Sequence, residues 1–123
     1  MQITKCLHTA LLVADLARAE HFYGTVLDLP KAERPLNFLG AWYQVEDYQI
    51  HLIVAESVPA DLVNSEKLGR NRHLAFSVTD LAAAKDQLLV HGCSIQMSAS
   101  GRPALFTQDP DGNVIELGET QLA

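Results

Sequence analysis

Residues 8–23, HTALLVADLARAEHFY, return 65 positions later as residues 73–88, HLAFSVTDLAAAKDQL, with His8 on His73, Asp15 on Asp80 and Leu16 on Leu81. Seven of the sixteen positions are identical, where unrelated segments of this composition would agree at about one. The same shift lays Gln49-Ile50-His51-Leu52 on Val114-Ile115-Glu116-Leu117. A polar residue inside an apolar strand therefore recurs at His8/His73 and again at His51/Glu116. A duplicated scaffold needs only its apolar positions repeated. Repeating His and His/Glu within strands points to a shared polar centre with metal-ligand chemistry.

Working outward, each copy reads β-α-β-β-β. Leu7 to Val13 is a near-continuous apolar strand, and Asp15 offers a carboxylate to the free amides of a helix running from Leu16 to about Leu27. Leu16, Ala19, Phe22, Tyr23, Val26 and Leu27 give that helix one apolar face, and Pro30 stops it. Three strands are expected next: near Lys31 to Glu33, from Leu36 to Val45 with a break at Gly40, and from Gln49 to Ala55. Residues 57–71, rich in Pro, Ser, Asn and charge, read as the connection, so the copies span about residues 1–56 and 72–123 of one domain. The second copy then repeats the order. Leu74 to Val78 is a strand, Asp80 caps a helix with Leu81, Ala84, Leu88 and Leu89 inward, and Gly92 ends it. Ser94 to Met97, Ala104 to Gln108 and Asn113 to Gly118 are the last strands, the final two joined by the turn Asp109-Pro110-Asp111-Gly112-Asn113.

A chain of 123 residues can bury a real core, but each half is short enough to need the other. Nine basic against fifteen acidic residues give a formal charge of −6, with no basic stripe. That excludes nucleic acid and anionic membrane as expected partners and leaves small molecules. The apolar stretch before Asp15 is too short to span a bilayer and no cleavable signal pattern precedes it, so a cytoplasmic protein is expected. Cys6 and Cys93 occupy non-equivalent places in the copies and read as free thiols.

The opening HTALLVADLARAEHFYGTVLDLP, the restart RHLAFSVTDLAAA and the ending FTQDPDGNVIEL resemble the vicinal oxygen chelate superfamily. It is also called the glyoxalase, bleomycin resistance and extradiol dioxygenase superfamily. The resemblance implies an α+β fold in which two βαβββ units join their curved mixed sheets into a cup, with the helices packed outside. It implies one divalent metal ion (zinc, nickel, iron(II) or manganese) held by residues of the first and last strand of each unit. Those positions fall here on His8, His51, His73 and Glu116. The donor types agree, since neutral imidazole and carboxylate suit these metals and strand-borne ligands are held rigidly. Alternation puts His8 on one face with Cys6, Ala10 and Leu12, and His51 on one face with Gln49 and Ile53. His21 and His91 have no counterpart at the repeat offset, and Cys6 reads as core. Trp42, Phe106 and Arg102 are placed to line the cup and Arg72 to meet an anionic substrate, but they read first as core aromatics and solvated charges and are given no catalytic role.

The resemblance further implies a homodimer in which His8 and His51 of one subunit meet His73 and Glu116 of its partner, although pairing within one chain remains open. The expected activity is glyoxalase-like, with Glu116 as the catalytic base moving a proton beside metal-bound adjacent oxygens. Glyoxalases commonly carry a second carboxylate where this chain has His51, and methylmalonyl-CoA epimerases need two glutamates where one is present. Extradiol dioxygenases match at His8, His73 and Glu116. Fosfomycin-modifying thiol transferases match there too but usually have threonine in place of Ala10, and their lysine and tyrosine are replaced by Gln96 and Phe106. Bleomycin-type resistance proteins sequester a drug and lack such a ligand set.

Overall fold

The computed structural model describes residues 1–120 and divides into two compact units, Met1–Val58 and Pro59–Ala123. Unit 1 runs β1 (His8–Val13), α1 (Leu16–Glu20) continuing into a π-helical segment (His21–Val26), β2 (Lys31–Ala32), β3 (Gly40–Val45) and β4 (Tyr48–Val54). Unit 2 runs β5 (His73–Val78), α2 (Leu81–Val90), β6 (Gln96–Met97), β7 (Ala104–Gln108) and β8 (Val114–Glu119). The sheets have the same order, β1-β4-β3-β2 and β5-β8-β7-β6, with the first and last strands of each unit parallel and the other pairs antiparallel. Even the register repeats: His8 lies opposite Gln49 as His73 lies opposite Val114. This is the α+β arrangement of two βαβββ units that the repeat predicts.

The caps form as the sequence predicts. Asp15 accepts a hydrogen bond from the Arg18 amide and Asp80 one from the Ala83 amide, both at 3.0 Å. Gly92 ends α2 at φ 73°, a left-handed conformation that glycine adopts without a Cβ clash. The final turn is organised by Asp109, whose Oδ1 accepts from the amides of Asp111 (2.9 Å) and Asn113 (2.8 Å).

Burial decides which face of each sheet is available. In unit 1 the helical segment packs on β3 and β4, and Ala19, Phe22, Tyr23 and Val26 meet a core that includes Val13, Ala41, Tyr43, Ile50 and Leu52. Each large apolar side chain there contributes about 1.5–3 kcal/mol. The opposite face carries His8, Ala10 and Leu12 from β1, Gln49, His51 and Ile53 from β4, and Trp42 from β3, by the pairing register. In unit 2, α2 packs against β8, with Leu81 and Leu88 buried along with Leu105, Ile115 and Leu117 of the sheet. His73, Ala75, Phe106, Val114 and Glu116 share the other face.

Three segments depart from the sequence expectation. The first helix is α-helical only to Glu20, after which bonds such as Leu27 N–H to Phe22 O widen the turns. An α-helix separates consecutive side chains by about 100°; the wider turn seats both Phe22 and Tyr23 in the core. Residues 36–39 are not strand, because β2 is only two residues long and pairs with Trp42 and Tyr43, leaving no ladder beside them. Ser94 and Ile95 likewise precede the short β6. The connection is more structured than its composition suggests. It contains a 3-10 turn, Leu68–Arg70, which packs on β7 and β8 so that Leu68 buries Phe106 and Val114.

Candidate functional site

In unit 2, neighbouring parallel strands β5 and β8 set His73 and Glu116 diagonally on one face, and their side chains converge with His73 Nε2 3.2 Å from Glu116 Oε1. Two ligands at about 2.1 Å from one ion lie about 3.0–3.4 Å apart at bond angles of 90–109°, so this pair fits a metal as it stands. His73 is pre-oriented. Its Nδ1 donates to the Asn71 carbonyl at 2.8 Å, which makes Nε2 the ring nitrogen that faces Glu116. Phe106 meets the His73 ring edge-on with centroids 5.6 Å apart, and Arg102 Nη1 lies 3.5 Å from Glu116 Oε2.

The Asn71 anchor is built from the connection. Asn71 is 8% exposed, and its side chain accepts from the amides of Val63 (2.6 Å) and Asn64 (2.9 Å) and donates to the carbonyls of Asn64 (2.7 Å) and Leu68 (3.0 Å). Gln96 fixes the same segment from β6, accepting from the Leu68 amide at 2.7 Å and donating to the Glu66 carbonyl at 2.8 Å. Gly69 is needed where the 3-10 turn crosses Phe106, since a Cβ there would lie 2.7 Å from the ring. Between this strap and the β6–β7 loop opens a cavity of about 460 Å³, with His73, Phe106 and Glu116 in its wall.

Unit 1 presents a different pair. His8 and His51 stack with ring centroids 4.0 Å apart and planes 10° from parallel, and Trp42 stacks on His51 at 4.1 Å and 7°. A metal bound by imidazole lies in the plane of the ring about 2.1 Å from nitrogen. Stacked rings with separate planes therefore offer one ligand, and the pair fits a single ion only if one ring turns. The His51 tautomer follows from a relay that ends on backbone. Gln44 Nε2 donates to the carbonyls of Glu46 (2.6 Å) and Tyr48 (3.3 Å), so Gln44 Oε1 accepts from Gln49 Nε2 (2.8 Å) and Gln49 Oε1 accepts from His51 Nε2 (2.8 Å). His51 thus carries its proton on Nε2. Burial, followed by the charges of His8 and Arg34, lowers its pKa below 6.5 and favours the neutral ring.

Among the described residues no group of three or more His, Cys, Asp and Glu side chains is gathered into a metal-holding cluster. Each unit displays its own pair. Of the other candidates, Trp42 and Phe106 lie against His51 and His73, and Arg102 against Glu116, whereas Arg72 is directed to Asp61 at 3.2 Å on the surface. His91 Nε2 lies 3.4 Å from Gln87 Nε2 beyond α2, and Cys6 and Cys93 are both free thiols. Cys6 is exposed, not core as the sequence suggests, because it precedes β1.

The family model of the Glyoxalase/Bleomycin resistance protein/Dioxygenase superfamily matches residues 5–117. The chain belongs to this superfamily. The lactoylglutathione lyase of Salmonella typhimurium is 30% identical over 131 residues, which cover 95% of this chain and 93% of that one. A glyoxalase/dioxygenase from Nostoc punctiforme has the same fold, with a TM-score of 0.77, 23% identity and coverage of 96% and 92%. The fosfomycin resistance protein FosX of Listeria monocytogenes, solved with manganese(II) and a dihydroxypropylphosphonic acid, superposes with a TM-score of 0.77 at 15% identity, covering 98% of this chain and 95% of its own.

Within the superfamily pattern, sequence reasoning missed the residues that hold the ligand candidates in place. Gln49 had a signal, being a polar residue at the apolar position equivalent to Val114. Asn71 had a weaker one, an amide two residues before the repeated histidine, hidden in a segment whose composition reads as loop. No helix among the described residues is long and apolar enough to cross a membrane.

Proposed function

We propose that this chain is a divalent-metal-dependent enzyme of glyoxalase-like type, holding its ion through His8, His51, His73 and Glu116 and using Glu116 as the base. The observation that carries the reading is the convergence of His73 Nε2 and Glu116 Oε1 at 3.2 Å in a cavity wall, with the histidine tautomer fixed by Asn71. The bound ion, zinc, nickel, iron(II) or manganese, supplies a Lewis acid for adjacent substrate oxygens. The chain supplies the rest. Glu116, its side chain 14% exposed, takes a proton at its carboxylate oxygen from the substrate carbon and returns it to the neighbouring one. His73 is held by the Asn71 carbonyl, and Phe106 backs its ring. His51, with Nε2–H held on Gln49, has Nδ1 as its free donor atom and joins His8 on one ion only if the stack of the two rings gives way.

We further place the protein in the cytoplasm as a homodimer in which the His8–His51 pair of one subunit serves the His73–Glu116 pair of its partner. Exposed Leu12 and Ile53, on the same face as His8 and His51, are apolar surface that such an arrangement would cover. Glu116→Gln tests the base role, because the amide retains an oxygen ligand and cannot accept a proton. With hemithioacetal substrates, including that of lactoylglutathione lyase, turnover should fall about 10²- to 10⁴-fold with metal retained. Undiminished turnover by the metal-loaded variant rules the base role out.

A second reading draws on the stack of unit 1. With His51 kept between His8 and Trp42, the ligands of this reading are His8, His73 and Glu116, two imidazoles and one carboxylate, the donor set of non-haem iron(II) oxygenases. Consumption of molecular oxygen with a catechol substrate selects this reading.

A further inference from the structure

The cavity of unit 2 is cationic in a chain of net charge −6: Lys67, Arg70 and Arg102 line it against Glu66 and Glu116. The hydroxyl-bearing Ser98 and Ser100 line it as well. Arg102 belongs to the loop between β6 and β7, and its Nε donates to Ser100 Oγ at 3.1 Å, which directs the guanidinium edge toward Glu116. At 3.5 Å the contact to Glu116 is longer than the 2.7–2.9 Å of a close charge-assisted bond. The side chain is 57% exposed, so the guanidinium retains donors for an incoming acceptor.

Unit 1, taken by itself, also has an arginine in the corresponding loop, though not at the repeat offset, where residue 37 is Asn. Its equivalent loop, between β2 and β3, carries Arg34, whose Nε and Nη2 are buried with no hydrogen-bond partner. Its guanidinium sits 4.5 Å over the Phe38 ring. Buried guanidinium donors without acceptors are costly, and structures rarely keep them without a use. Each unit thus carries one arginine in the loop between its second and third strands, and in unit 2 that arginine reaches the last-strand ligand candidate Glu116.

We propose that the substrate is a small oxyacid, a carboxylate or a phosphonate, and that Arg102 is the specificity-determining residue that binds its anionic group in the unit 2 cavity. Arg70 and Lys67 add charge at the strap side, and Ser98 and Ser100 add hydrogen bonds. The apolar remainder of the substrate lies against Phe106 and Met97. The inference rests on the reading of this face as a small-molecule site and adds the chemical class to it.

The test is titration of the metal-free full chain with methylphosphonate and, separately, with propionate, followed by NMR and calorimetry. Wild-type protein should bind at least one of them saturably, with shifts confined to residues 66–70, 96–102 and the ends of β7 and β8. The tighter of the two identifies the acid. Arg102→Gln should weaken binding about ten- to a hundredfold, the range for losing a hydrogen bond to a charged group. Arg102→Lys should recover part of it. Arg72→Gln is the control, since it removes the same charge from a neighbouring residue paired with Asp61 and should change affinity less than twofold. Equal losses from Arg102→Gln and Arg72→Gln, or no saturable binding of either acid, overturn the proposal. Because the probe needs no metal, oxyacid binding by a chain that takes up no ion would refute the metal-enzyme reading alone. Metal binding without oxyacid binding would refute only this inference.

Discussion

Asn71→Ala should destabilise the protein by about 2–4 kcal/mol. The native side chain makes four well-formed bonds to backbone groups of the strap, at 2.6, 2.9, 2.7 and 3.0 Å, while a fifth, to the Lys67 carbonyl, is long at 3.4 Å. Each net bond contributes about 1 kcal/mol, and a backbone donor left buried costs about 1–3 kcal/mol. Water reaches part of the strap in the variant, which sets the lower bound. Urea unfolding followed by circular dichroism is the assay: the midpoint should fall while the slope holds, since the surface exposed on unfolding is nearly the same. Asn71→Asp separates the two halves of the network, because it keeps the acceptors for Val63 and Asn64 and loses the donors to Asn64 and Leu68. It should unfold between alanine and wild type. A loss below about 0.5 kcal/mol for Asn71→Ala, the range of a surface substitution, would refute the claim that Asn71 holds the strap under His73.

In the metal-free protein, His51 should titrate below 6.5 by NMR, and His8→Ala should move it up only partly, because burial is the larger cause and the His8 charge the next. The unfolded chain then takes this proton at higher pH than the folded chain. The stabilising contribution of neutral His51 is complete above about 6.5 and is lost as pH falls through the lowered folded value. A His51 titrating at or above 6.5 contradicts the stacked, neutral ring. Sedimentation at micromolar concentration should give a dimer, and a monomer that binds metal tightly rules out a site shared between subunits.

How much was legible beforehand depended on what repeats. The pairs His8/His73 and Asp15/Asp80 exposed the duplication, and with it the order of elements along each copy, the helix caps and the residues that share a strand face, whereas the strand order within each sheet and its register came from the structure. What does not repeat was illegible. The π-helical turn reflects the need to bury Phe22 and Tyr23 together, a tertiary demand that overrides the 3.6-residue period. The strap over Phe106 depends on Asn71 and Gln96 bonding to distant backbone, and no local pattern announces it. At the site, residue types and their face were readable from strand alternation, whereas the stacking of His8 on His51 and the lock by Gln49 depend on side-chain torsions. Arg72, beside His73 in sequence, lies just outside β5 and pairs with Asp61 on the surface, as its reading as a solvated charge implies.

The central claim, that the repeated polar residues hold a metal, is tested most directly by calorimetric titration of metal-stripped protein with zinc, nickel, iron(II) and manganese. The account predicts one ion per chain for at least one of them, with affinity reduced more than about tenfold in His73→Ala and in Glu116→Ala. Wild-type protein that binds none of the four, or binds one equally well without His73 and Glu116, contradicts it.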